Sequence, residues 1–157
     1  MLPKIWKVIG VNSTGQTLTF NSNARINLKI TGWRKNPVTG EVHYQQLDDD
    51  DFSFVAGSTL ADAAEVMASE HDNSDEKLDG ILVQAELKHD EGTLADGPFK
   101  LYLDGGDLTG ELVSDADGYD TAALAALTSI GDLTWHASGG NDEWMRSPVF
   151  SVKNDTV

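Results

Sequence analysis

Residues 25–47 read RINLKITGWRKNPVTGEVHYQQL. Ile26, Leu28 and Ile30 fall on one side of an alternating run, and Arg25, Asn27, Lys29 and Thr31 fall on the other. A period of two is that of a pleated strand with one dry and one wet face. Asn36-Pro37-Val38-Thr39-Gly40 follows. Pro presets its own φ and Gly accepts a positive one, so this segment is a turn. Residues 41–47 then return beside the first strand, and the stretch is predicted to be a β-hairpin.

The same period recurs along the chain. Ile81, Val83, Ala85 and Leu87 alternate with polar residues, as do Phe99, Leu101 and Leu103. Residues 5–11 are apolar and β-prone. Asn12-Ser13-Thr14-Gly15 turns them toward a return strand at residues 16–20, which the reading pairs with residues 5–11. Shorter strands are expected at residues 52–55, 108–113, 133–137 and 148–153. Residues 60–69 (LADAAEVMAS) carry the one helix signal, with Thr59 as N-cap and Leu60, Ala63, Ala64 and Met67 on one face. Residues 121–127 read as a short helix or a packed loop. About eight to ten strands with turn signals about every ten residues predict an all-β fold with one short helix. The expected architecture is an antiparallel β-sandwich, jelly-roll-like, with an immunoglobulin-like sandwich as runner-up. No repeat or linker interrupts residues 1–157, which reads as a single domain with a short flexible C-terminal tail.

The chain has 157 residues, 26 acidic against 11 basic, and a net charge of −15. That field repels phosphate, so direct binding to nucleic acid or to an anionic membrane is not expected. There is no Cys, which excludes disulfides, thiolate zinc sites and thiol nucleophiles. The N-terminal residues lack the apolar core of a signal peptide, and no run is long enough to span a bilayer, so synthesis in the cytosol is expected.

Chemistry-bearing motifs are scarce. There is no Gly-x-Ser-x-Gly elbow and no glycine-rich phosphate loop before a helix. His43, His71, His89 and His136 are scattered, without the spacing of paired ligands. The acids are too many for any pair to stand out as a glycosidase dyad. No enzyme activity and no cofactor are therefore expected. The best candidate for a metal is Asp115-Ala116-Asp117-Gly118-Tyr119-Asp120. There Asp115, Asp117 and Asp120 offer hard oxygens around a glycine, as calcium prefers. The loop lacks the third alternating acid and the distant Glu of an EF-hand, and a plain polar turn competes with that reading. The acidic run at residues 48–51 reads as a solvated loop. Trp33, beside Arg34 at a strand end, and Trp144, near a Gly-Gly turn, are candidate platforms for stacking a sugar ring. Trp135 alternates in phase with Leu133 and is expected in the core. The terminal segments, residues 1–9 and 153–157, are candidate interfaces because termini are free to reach a neighbour.

One resemblance adds to this. Met67-Ala68-Ser69-Glu70-His71-Asp72-Asn73-Ser74 precedes the alternating strand from Ile81 to Leu87, and Asp96-Gly97-Pro98-Phe99-Lys100-Leu101-Tyr102-Leu103 follows after a loop. The pattern resembles small β-sandwich virion structural proteins of tailed bacteriophages. Gly131-Asp132-Leu133-Thr134-Trp135 and Ser147-Pro148-Val149-Phe150 would close such a sandwich. Asp104-Gly105-Gly106-Asp107 departs from it, standing where a longer loop is expected. The resemblance implies a non-enzymatic subunit of a phage particle, in the tail, a tail fibre or baseplate, or a capsid decoration. Its implied partners are other virion proteins and copies of itself, and its implied location is the virion. The alternative function is a carbohydrate-binding module for host attachment.

Overall fold

The computed structural model describes residues 2–19, 25–47, 52, 59–88, 97–105, 121–135 and 144–153. In chain order the elements are β1 (Ile5–Asn12), β2 (Leu18–Thr19), β3 (Arg25–Lys35), β4 (Val42–Gln46), β5 (Thr59–Leu60), β6 (Glu65–Met67), β7 (His71–Asp72), β8 (Gly80–Lys88), β9 (Gly97–Asp104), α1 (Thr121–Ala126), β10 (Thr128–Trp135), β11 (Trp144–Arg146) and β12 (Phe150–Lys153). All pairings are antiparallel. One five-stranded sheet runs β10-β9-β1-β6, with β7 also on β1; the other runs β11-β8-β3-β4, with β12 also on β8; β2 and β5 form a separate two-stranded sheet. The pairing β1–β9 encloses β3–β8 in sequence, and the two pairs lie in opposite sheets. That nesting is the jelly-roll-like wrap, and the fold is an all-β sandwich.

The alternating apolar residues meet between the sheets. Trp6, Val8, Phe99, Leu101, Leu103 and Leu133 from one sheet pack with Ile26, Leu28, Ile30, Ile81, Val83 and Ala85 from the other in one cluster. A Cβ on Gly10 would lie 2.5 Å from the Phe99 ring and 2.7 Å from that of Phe52, so this position accepts only glycine without repacking. Trp6 stacks on its cross-strand partner His71 with centroids 4.3 Å apart. Part of the outer face of the first sheet is covered as well. Ile9 and Val11 pack there with Tyr102 and with Ala123, Leu124 and Leu127 in and beside α1. The short helix at α1 thus covers the central strand, whose apolar residues face both ways.

Three expectations need correction. Residues 60–69 do not form a helix: they form β5, a tight turn and β6. The Asn12 side chain takes the carbonyls of Leu60 and Ala61 at 3.0 Å each. A helix would give those oxygens to the N–H groups four residues on. Ala63 is left-handed, with φ of 62°, and β6 pairs with β1. Tertiary pairing overrides the helix propensity of the alanines. Next, β2 returns to β5 rather than to β1, with Leu18 opposite Leu60. Finally, of the N-terminal segment 1–9, the described residues 2–9 are no free arm. Leu2 is buried, β1 lies inside its sheet, and Asn73 Nδ2 donates to the Leu2 carbonyl at 3.2 Å. Phe52 is buried but in no strand. The expected strands at residues 53–55 and 108–113, the acidic run at residues 48–51 and the tail from residue 154 lie outside the described residues.

Candidate functional site

The hairpin β3–β4 was legible from its alternation, and its geometry shows which groups it offers. Its turn is built by Asn36. The Asn36 Oδ1 accepts from Val38 N at 2.9 Å and Thr39 N at 3.2 Å, and Gly40 takes φ of 74°. Asn36 N donates to Glu41 O, and Leu47 N to Ile30 O. These two bonds fix the ladder phase. In an antiparallel pair, hydrogen-bonded and non-hydrogen-bonded positions alternate. Glu41, His43, Gln45 and Leu47 therefore point their backbone groups at β3. Val42, Tyr44 and Gln46 point theirs at the open edge.

The base of the hairpin is anchored. Asp79 N donates to Trp33 O at 2.9 Å, and Asp79 Oδ2 accepts from Lys35 N at 2.8 Å. Trp33 stands opposite Gly80 on one side and Tyr44 on the other. A Cβ on Gly80 would lie 2.6 Å from the indole, so the ring lies over the glycine. This leaves Trp33 half-buried and Tyr44 66% exposed, both on the outer face of the sheet. On the inner side, beyond the end of the core, a groove of about 140 Å³ is lined by Arg34, His43, Tyr44, Gln45, Glu76 and Leu78. Gln45 Nε2 donates to Glu76 Oε1 there at 2.8 Å.

All five residues of β4 are exposed. Val38, Val42 and Tyr44, three of the five large exposed hydrophobic side chains among the described residues, belong to this hairpin. No residue of β4, VHYQQ, carries a carboxylate, in a chain with 26 of them. The sequence reading picked out Trp33 and missed the β4 residues. The signal was there in an uncharged polar-aromatic strand, but only the sheet order shows that it is an edge among the described residues.

A second polar cluster lies on the same outer face. Glu86 is 7% exposed, and its Oε1 receives Lys29 Nζ and Arg146 Nε, each at 2.7 Å. Arg146 is its direct neighbour on β11, and Lys29 lies diagonally across on β3. The hydrogen bond from Lys29, with the charges of Lys29 and Arg146, holds the Glu86 carboxyl below its ordinary value despite burial. The triad ties three strands together, with both cations on one carboxylate oxygen, as a structural ion cluster does.

Of the other candidates, Trp144 has its backbone in β11 and Trp135 in β10, while both side chains lie outside the described residues. Asp115, Asp117 and Asp120 lie outside them as well. Among the described residues no three His, Asp or Glu side chains group as metal ligands, and no helix is long and apolar enough to cross a membrane. Comparison with protein-family models, curated proteins and solved structures finds no match to this chain.

Proposed function

We propose that this chain is a non-enzymatic structural subunit of a bacteriophage virion that assembles in symmetric copies, as a part of the tail, a tail fibre or baseplate, or a capsid decoration. The observation that carries the assembly role is β4, which among the described residues is an exposed edge strand without a carboxylate or a lysine. Exposed, unprotected strand edges are templates for pairing with another chain. The resemblance of residues 67–103 to small phage virion proteins supports the particle. The net charge of −15 supports it too, because like charges keep free subunits apart before assembly. Mass spectrometry of purified particles tests the reading. The chain is expected in repeated, fixed stoichiometry with the other virion proteins. Absence from washed particles removes the role.

The second reading is a carbohydrate-binding module. Its support is the outer-face neighbourhood of Trp33 and Tyr44, an aromatic surface of the kind that stacks on sugar rings. A glycan array and titration of tryptophan fluorescence test it. A saturable spectral change that Tyr44→Ala abolishes is expected, and an array without a ligand discards it.

A further inference from the structure

We propose that β4 pairs with β4 of a second copy, antiparallel, about a two-fold axis at Tyr44. The inference rests on the assembly reading for its choice of partner. Among the described residues the two five-stranded sheets have four edges, and three of them are blunted. The edge at β10 is broken by a bulge between Ser129 and Gly131. The edge beyond β1 is split into β6 and β7, of three and two residues. The edge beyond β8 is split into β11 and β12 around Ser147, Pro148 and Val149. Bulges, short strands and proline are the usual devices against pairing. By contrast β4 has five consecutive residues with no proline, no glycine, no lysine and no carboxylate.

The strand is also complementary to itself. Among the described residues, the backbone groups of β4 that face away from β3 without a partner belong to Val42, Tyr44 and Gln46, alternate residues centred on Tyr44. An isologous contact therefore sets Tyr44 opposite its own copy and Val42 opposite Gln46, with two hydrogen bonds at each of three pairs. The outer face then carries a row of four aromatic residues, Trp33 and Tyr44 from each copy. Across the inner side His43 meets Gln45. No like charges oppose one another along the strand, although each copy carries −15. Interfaces hold about one hydrogen bond per 100–200 Å², so this contact is of the transient size class and forms at high local concentration.

Sedimentation velocity of the full chain from about 5 µM to about 500 µM tests this. A reversible monomer–dimer equilibrium is expected, tighter at about 0.5 M salt, where repulsion between the acidic copies is screened. Tyr44→Lys should weaken the dimer at least about tenfold with an unchanged circular dichroism spectrum. Tyr44→Pro should do the same, because the N–H it removes faces the open edge and not β3. The chain has no cysteine, so a single Tyr44→Cys should cross-link under mild oxidation, whereas Thr39→Cys in the turn should not. A chain that stays monomeric throughout overturns the inference. So does a dimer that survives Tyr44→Lys and that Tyr44→Cys fails to cross-link. Either result leaves the mass-spectrometric test of the virion role standing on its own.

Discussion

Asn12 sits at the end of β1, wholly buried, and organises the turn that the sequence made look helical. Its Nδ2 reaches the carbonyls of Gln16, Leu60 and Ala61, and its Oδ1 accepts from the backbone N and the hydroxyl of Thr14. Asn12→Ala strands these buried groups, each costing about 1–3 kcal/mol when left unpaired. Urea denaturation should show a loss of about 3 kcal/mol, far more than at an exposed Asn. Glu86 gives a prediction with a sign in pH. Its folded-state value is lowered from 4.5 by the Lys29 hydrogen bond and the two cations. The stabilisation is therefore present in full above about pH 4.5 and is lost as pH falls through the lower folded value. Glu86→Gln should destabilise at pH 7, and the gap to the parent chain should narrow by pH 3. A gap that is constant with pH would show that the carboxylate charge contributes nothing.

At the scale of elements, close approach sets where side chains can stand. The indole of Trp33 occupies the space over Gly80, so Gly80→Ala should displace it. Tryptophan emission is expected to shift and the stability to drop by about 1–3 kcal/mol, the usual cost of overpacking. In α1, Leu124 packs over Ile9 and Val11 on the outer face of β1. The helix has six residues and no acidic side chain in its first turn. A helix that short is not stable alone, so its order depends on this contact. Leu124→Ser should speed hydrogen exchange in α1 while leaving the amides of β3 and β8 protected, because those belong to the opposite sheet.

For the whole molecule the acidic surplus governs behaviour in solution. A net charge of −15 on one compact chain destabilises the folded state through self-repulsion. Raising salt from about 10 mM to about 300 mM is expected to raise the melting temperature, since it shortens the Debye length from about 30 Å to below 10 Å. A fall would place the dominant electrostatics in the Glu86 triad and other attractive pairs.

The two-residue period at residues 25–33, 81–87 and 99–103 determined by itself that the chain forms strands with one dry face, because side-chain alternation is a property of the extended backbone. The same holds for the hairpin turn at Asn36 to Gly40, where local stereochemistry suffices. Tertiary structure decided the rest. Whether residues 60–69 coil or extend depended on Asn12, 48 residues upstream of Leu60, and no local pattern carries that. The sequence marked Trp33 as a candidate, but only the sheet order made β4 an edge. Which backbone groups stay unpaired is set by strand neighbours far apart in the chain, and that is where the candidate site lies.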